Sequence, residues 1–467
     1  MPSRTAAPLF SGPPRGRPHG SLAQPQAALP ELPATADRRQ LCLTSGRRVR
    51  SRVAGLFLFL PLLAQLGWDR LVSQARYPGS RLVPATSALL SLLALKLLDK
   101  ERRSHIDDFN CDEAVGLFAG LNIPPKKSYA TDYSYRTERA QQHRLLAGWV
   151  TGLAPVLFPQ AEAFCLDFHA SPYRGEPEAL ENHYLPLRGK AGPSILTFFA
   201  HEPNSRVLCY ANANLTRMDQ PGEVMQFVEF WHSVTGRDPQ WLSFDSKLVP
   251  YAELTRLNER HIWFVTIRRR GVAILRRLQA LPASSWQRAV IDIPKRRHAN
   301  IRYHDESTRL RDYPGPIRQV AVTGLGREQP TLCLSNNFAV TARDLVTRYA
   351  GRNGVEDSLG ISVDFFHLDC LASEVRLNVD LDVALTVIAH GCYRWLAKRL
   401  RGFDKAKPKQ LYRRFVETSG VVEVCEDRLV VHFDKRSHNP ILKEAGLDRG
   451  CLGIPWLRGL PVSFQYP

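Results

Sequence analysis

Two short apolar runs in this chain each close on an acid: Ala163-Phe-Cys-Leu-Asp167 and Gln240-Trp-Leu-Ser-Phe-Asp245. Both are predicted to form buried β-strands with the carboxylate at or near the strand end. An aspartate is costly in an apolar strand unless it is paired or bound to a cation. A third acid, Glu356, closes the stretch Tyr349-Ala-Gly-Arg-Asn-Gly-Val-Glu356. On a helix Tyr349, Arg352 and Glu356 fall three and four apart and share one face. Taken alone, that face reads equally as a solvated one carrying an Arg–Glu pair. Beside the two strand aspartates, it can complete a set of three carboxylates able to hold two magnesium ions for in-line attack at phosphorus.

The segments around these acids predict an α/β arrangement. Ser194 to Phe199 and Ser205 to Tyr210 read as strands about a turn at Glu202-Pro-Asn-Ser. Gly222 to Val234 reads as a helix whose Val224, Phe227, Val228 and Trp231 make a core stripe, stopped by Gly236. Leu248 to Glu259 follows as a helix and His261 to Ile267 as a strand. The order is β-loop-β-β-α-β-α-β.

With these pieces in view, the chain resembles the D-D-E transposases of bacterial insertion sequences. Tyr349, Arg352 and Glu356 reproduce the family's Y-x-x-R-x-x-x-E signature. Phe244-Asp245-Ser, with Tyr251-Ala-Glu-Leu and His261-Ile-Trp-Phe-Val-Thr-Ile, looks like the second-aspartate block, and Leu166-Asp167-Phe-His like the first. The similarity covers roughly residues 160 to 440. It implies a ribonuclease-H-like mixed sheet with flanking helices, built from residues 161–267 and 344–400. In the resemblance Asp167, Asp245 and Glu356 are catalytic and hold two Mg²⁺ ions, with Mn²⁺ an alternative, while Tyr349 and Arg352 orient DNA phosphate. It further implies a homodimer on paired DNA ends, working in the bacterial cytoplasm at the nucleoid. One position departs: Val363 stands where many members carry a lysine, seven residues after the glutamate. The phosphate contact of that lysine, and the hairpin chemistry associated with it, are not carried over.

Short alternating runs between residues 268 and 343 predict a mostly β insertion before the catalytic glutamate, which in such transposases covers the site and holds DNA. Arg268, Arg269 and Arg270 open it, and Lys295, Arg296 and Arg297 follow. Both groups suit phosphate contact. Trp286 suits either a stacked base or the core.

The remaining segments fit a DNA-directed protein. The 467 residues carry a formal net charge of +18, which favours a polyanionic partner, nucleic acid or an acidic membrane surface. Nine cysteines stand singly without metal or disulfide spacing. The longest apolar run, Ala54 to Leu66, holds Pro61 and is too short to span a membrane, so it is expected as a core helix. Residues 1–52, rich in Pro, Arg, Gly and Ser, are expected to be a disordered basic arm, or upstream sequence before a non-standard start near Val49 or Val53. Residues 53–160 are expected as a helical DNA-binding module. There Arg136, Arg139, His143 and Arg144 lie on one face, which suits a DNA backbone or plain solvent. Asp380 to Leu400 reads as a long buried helix, and residues 401–467 as a basic region with a hairpin at Val421 to Phe433. A hydrolysis-only nuclease of the same core and a decayed, non-catalytic DNA-binding protein are the competing functional classes.

Overall fold

The computed structural model describes residues 41–173, 180–185, 188–245, 250–291, 300–325, 329–370 and 379–467. Its strands, in chain order, are β1 (Arg48–Ser51), β2 (Ala163–Pro172), β3 (Asn182–Leu185), β4 (Lys190–Glu202), β5 (Val207–Leu215), β6 (Trp241–Ser243) and β7 (Trp263–Ile267). They continue with β8 (Gln287–Val290), β9 (Asn300–Arg309), β10 (Pro316–Thr323), β11 (Thr331–Ser335), β12 (Gly420–Val424), β13 (Leu429–Phe433) and β14 (Val462–Gln465). The helices used below are α1 (Ala85–Leu97), α2 (Arg139–Leu157), α3 (Glu223–Thr235), α4 (Tyr251–Glu259), α5 (Val272–Gln279), α6 (Ala342–Gly351), α7 (Asn353–Asp364) and α8 (Val379–Arg399).

A mixed α/β architecture results. The larger sheet runs β3-β4-β2-β6-β7-β11-β10-β9-β8, with β5 also paired to β4. β4 runs antiparallel to both its neighbours β2 and β5, whereas β6 runs parallel to β2 and β7 parallel to β6. Two-residue hairpins cannot join parallel strands, so a helix must cross over; here α3 precedes β6 and α4 precedes β7. Gly236 ends α3 in the left-handed region at φ 75°, the conformation a glycine adopts most cheaply.

α8 explains why the N-terminal helices share the sheet's core. It is buried from Val379 to Ala397, as expected of a helix surrounded on all sides. It packs on β5, α1 and α2. The same hydrophobic cluster contains Phe57 and Leu60 from the apolar run at residue 54 and Phe164 and Phe198 from the sheet. No single helix among the described residues is long and apolar enough to cross a membrane; the bent pair Ala54–Gln65 and Trp68–Gln74 turns by 62°, and Leu56 to Leu63 are fully covered by protein.

Three expectations are corrected here. The segment 268–343 is not an insertion standing beside the sheet. β11 pairs antiparallel with β7, and β10, β9 and β8 extend the sheet beyond it. The alternating runs are sheet strands because β7 offers them an open edge. Nor are residues 1–52 uniformly without order. β1 pairs with β12 in a second sheet, β1-β12-β13-β14; Val49 is buried there and Ser51 donates to Asp112 Oδ2 at 2.7 Å. Composition averaged over 52 residues hides one strand of four, Arg48–Ser51, with alternate residues buried. Third, the basic residues at α2 also have partners within the protein, although Arg136, Arg139 and Arg144 remain exposed. Arg139 donates to Asn212 Oδ1 on β5, His143 Nε2 lies 3.3 Å from the same oxygen, and Arg144 donates to the Ala75 carbonyl at 3.2 Å. Arg136 instead lies over the Tyr129 ring. Trp286 is half-buried against the cluster of Leu278, Ala321 and Leu332, a packing role.

Candidate active site

Asp167 lies in the middle of β2 rather than at its end, because the strand continues through Ser171 to Pro172. Cys165 pairs with Ser243 across the parallel β2–β6 ladder. Asp167 and Asp245 each follow that pair by two residues, Asp167 within β2 and Asp245 just past the end of β6. The charge of Asp245 acts on Asp167, Tyr349 and Arg352 alike. Glu356 comes from the first turn of α7, a helix packed on β2, β4 and β5.

The helix expected to run unbroken from Tyr349 to Glu356 is two helices meeting at Arg352, which ends α6 and caps α7. The amides of Arg352 and Val355 bond three residues back, to Tyr349 and Arg352. Gly351 and Gly354 flank the junction and weaken the regular helix there. The break leaves the Arg352 side chain pointing into the cluster. Its Nη1 donates to Asp167 Oδ2 at 2.9 Å, and its Nη2 donates to Glu356 Oε1 at 2.9 Å. The guanidinium lies 5.8 Å from the Tyr349 ring centroid, and Tyr349 itself packs against the cluster of Trp241 and Val265.

One cation thus serves three carboxylates. Burial lifts the Asp167 carboxyl to about 6; Arg352 opposes this, while Glu356 and Asp245 add to it. Burial works against the Arg352 charge, but Asp167, Tyr349, Glu356 and Asp245 together outweigh it and hold its pKa above the ordinary value. Burial pushes the Tyr349 hydroxyl up to about 12. Asp167 and Arg352 side chains are 19% and 11% exposed, whereas Glu356 is 54% exposed and faces solvent.

The oxygen-only donor set of Asp167, Asp245 and Glu356 suits a hard divalent cation; the raised Asp167 pKa comes first from burial, with the charges of Glu356 and Asp245 adding to it. Among the described residues no three His, Cys, Asp or Glu side chains stand close enough to hold an ion; the Arg352 guanidinium bridges Asp167 and Glu356. The acids match a hard cation in donor type only; as they stand, the arginine occupies the place between Asp167 and Glu356.

A cryo-EM structure of a piggyBac transposase synaptic complex with hairpin DNA is similar to this chain. The two are 12% identical, the similarity covers 79% of this chain and 82% of that one, and the TM-score is 0.46. No family model matches the chain, and no curated protein matches it. What the site can do therefore follows from its side chains.

The basic residues proposed for DNA fall into three cases. Arg268 follows β7 at the same end of the sheet as Asp245 and donates to Gln319 Oε1 at 2.7 Å, so part of its fork is used internally. Arg269 and Arg270 are exposed. Lys295, Arg296 and Arg297 lie outside the described residues.

Sequence inspection missed a second polar pair. Asp167, His169, Glu356 and Asp369 line one cavity of about 750 Å³, together with Phe168, Leu359 and Val363 among others. His169 Nε2 lies 2.6 Å from Asp369 Oδ1. Strand alternation sets Asp167 and His169 on one face of β2, and that signal was available in Asp167-Phe-His. Asp369 lies 200 positions away from His169 and carries no motif. Val363 lends the cavity an apolar wall.

Proposed function

We propose that this protein is a D-D-E transposase with a ribonuclease-H-like core, cutting the ends of an insertion element and joining them to target DNA by metal-dependent phosphoryl transfer. The observation that supports this reading is the Arg352 fork bonded to both Asp167 on β2 and Glu356 on α7, with the charge of Asp245, just past β6, acting on Asp167, Tyr349 and Arg352. The strand order β5-β4-β2-β6-β7, with three antiparallel strands followed by two running parallel to β2, supports the fold assignment.

Asp167, Asp245 and Glu356 would hold Mg²⁺, or Mn²⁺ in its place. Bound there, the metal pair would supply charge for the attacking and leaving oxygens at phosphorus. The chain's own residues do the rest. Arg352 offers a planar fork that matches phosphate geometry, and half-exposed Glu356 leaves the cluster open to a DNA strand. The ladder of β2 and β6 ends at the Cys165–Ser243 pair, two residues before each aspartate. The positive charge of the chain would bring DNA to this open side by sequence-independent attraction. A homodimer on paired ends, in a bacterial cytoplasm, belongs to the same proposal.

The test is cleavage and strand transfer on DNA carrying the element's ends. Asp167→Ala, Asp245→Ala and Glu356→Ala should each abolish cutting and leave DNA affinity close to that of the wild type. Carboxylates repel phosphate unless a metal intervenes, so they are not the source of affinity. A variant that still cuts at more than a small fraction of the wild-type rate removes its residue from the site. Cutting without joining would make the protein a nuclease.

A further inference from the structure

The feature that the proposed chemistry does not absorb is the position of Arg352. A phosphate-orienting arginine is expected to lie at the rim of a carboxylate cluster, with its fork turned outward. Here the fork is turned inward. Nη1 is bonded to Asp167 and Nη2 to Glu356, both at 2.9 Å, at the centre of the negative charge. Asp167 has its other oxygen engaged as well, since Oδ1 accepts from the Phe168 amide at 3.0 Å. Charge-assisted bonds of this length are among the stronger ones in proteins, and a divalent cation would have to approach the same carboxylates against the arginine's charge.

The arrangement also holds an unused donor. Arg352 Nε is buried and has no hydrogen-bond partner among the described residues. A buried donor left unpaired carries a desolvation penalty, so the inward pose is one that a better acceptor can displace. Phosphate is such an acceptor, because its oxygens can take two parallel bonds from a guanidinium. Glu356, the more exposed of the two partners, is the side from which the fork can be released.

We propose that Arg352 is a resident counter-ion that keeps the carboxylate cluster closed to divalent metal until a DNA phosphate draws its guanidinium away, so that metal loading waits for DNA. This rests on the reading of Asp167, Asp245 and Glu356 as the metal ligands. Its physical content is an exchange of partners. The guanidinium leaves two carboxylates for a phosphate, and the carboxylates leave one monovalent cation for divalent ones. Since binding of each ligand favours the other, the coupling is reciprocal.

The experiment measures binding rather than turnover. The full chain, without DNA, is titrated with Mn²⁺ and the free ion is read by electron paramagnetic resonance, for the wild type and for Arg352→Gln. The variant is expected to bind Mn²⁺ about tenfold more tightly, within the usual range for two coupled ligands. A short blunt DNA duplex should tighten Mn²⁺ binding by the wild type and leave the variant nearly unchanged. Arg352→Lys provides a second variant should the glutamine not fold. It keeps the charge but cannot span two carboxylates, and it should shift affinity in the same direction by less. Mn²⁺ affinity in the variants equal to or weaker than in the wild type, without DNA, overturns the proposal and leaves the metal site standing. Absence of Mn²⁺ binding by every protein, with or without the duplex, overturns the metal site and the proposal together.

Discussion

Arg352 donates to Asp167 at 2.9 Å across 185 positions of the chain, and yet the Asp167 carboxyl is pushed up rather than down. Burial and the neighbouring acids outweigh the pair. Crowded like charge of this kind is found where function, not stability, sets the residues.

Asp167→Asn should therefore stabilise the metal-free protein. The carboxyl titrates at about 6 in the fold against 3.8 ordinarily, so the folded state binds this proton more tightly than the unfolded one. The ionised group costs stability above pH 6, and the cost fades as pH falls from 6 to below 3.8. Urea unfolding should show the variant ahead by up to about 3 kcal/mol at pH 8, with the gap closing near pH 4. A variant less stable than the wild type at pH 8 contradicts this balance.

A buried histidine pair should make the fold acid-labile. His201 on β4 and His390 on α8 are fully buried; among the described residues neither ring nitrogen of His201 has a hydrogen-bond partner, nor does Nε2 of His390. Burial holds both down to about 3, from an ordinary 6.5. Their folded pKa values lie below the unfolded ones, so stability is present above pH 6.5 and is lost as pH falls from there toward 3. Each contributes a slope of up to about 1.4 kcal/mol per pH unit in that window. His201→Leu should flatten the wild-type curve between pH 6 and pH 4; an unchanged slope would exclude His201 as a contributor.

Asn212 should matter more than its lone position in β5 suggests. Its Oδ1 accepts from Arg139, and its Nδ2 donates to both oxygens of Glu223 at 2.9 Å. Glu223 is fully buried and held near 7, burial raising it and Asn212 opposing. Asn212→Ala strands the buried Glu223 carboxylate, for a loss of about 1–3 kcal/mol. Because the carboxylate is the stranded charge, denaturation should show a larger loss at pH 8 than at pH 5. A loss below about 1 kcal/mol would mean that water replaces the amide.

The N-terminal boundary is testable by truncation. Deleting residues 1–51 removes β1, with buried Val49, the Ser51–Asp112 bond and the Arg47–Glu113 pair at 2.7 Å. It should lower the thermal midpoint by about 1–2 °C, the shift that about 1–2 kcal/mol produces in a unit of this size. Deleting residues 1–40 is the comparison that isolates β1; equal midpoints for the two truncations would show that the strand adds nothing.

The amino-acid order alone determined the local elements. The runs ending at Asp167 and Asp245 became β2 and β6, the stripe of Val224, Phe227, Val228 and Trp231 became the buried face of α3, and the runs from 300 to 335 became β9, β10 and β11. Period and turn residues act within a few positions, so they are legible in one dimension. The spacing of Tyr349, Arg352 and Glu356 likewise marked one cluster. Tertiary structure decided the partners. That β11 takes the open edge of β7, that β1 pairs with β12, and that α2 brings Arg139 and His143 to Asn212 depend on surfaces far apart in the chain, 73 positions for Arg139 and Asn212. The inward turn of Arg352 is of the same kind. Its spacing reads as a phosphate contact, and only the meeting of β2 with α7 supplied the two carboxylates that hold it, because opposite charges in a half-buried site find each other wherever the chain brings them.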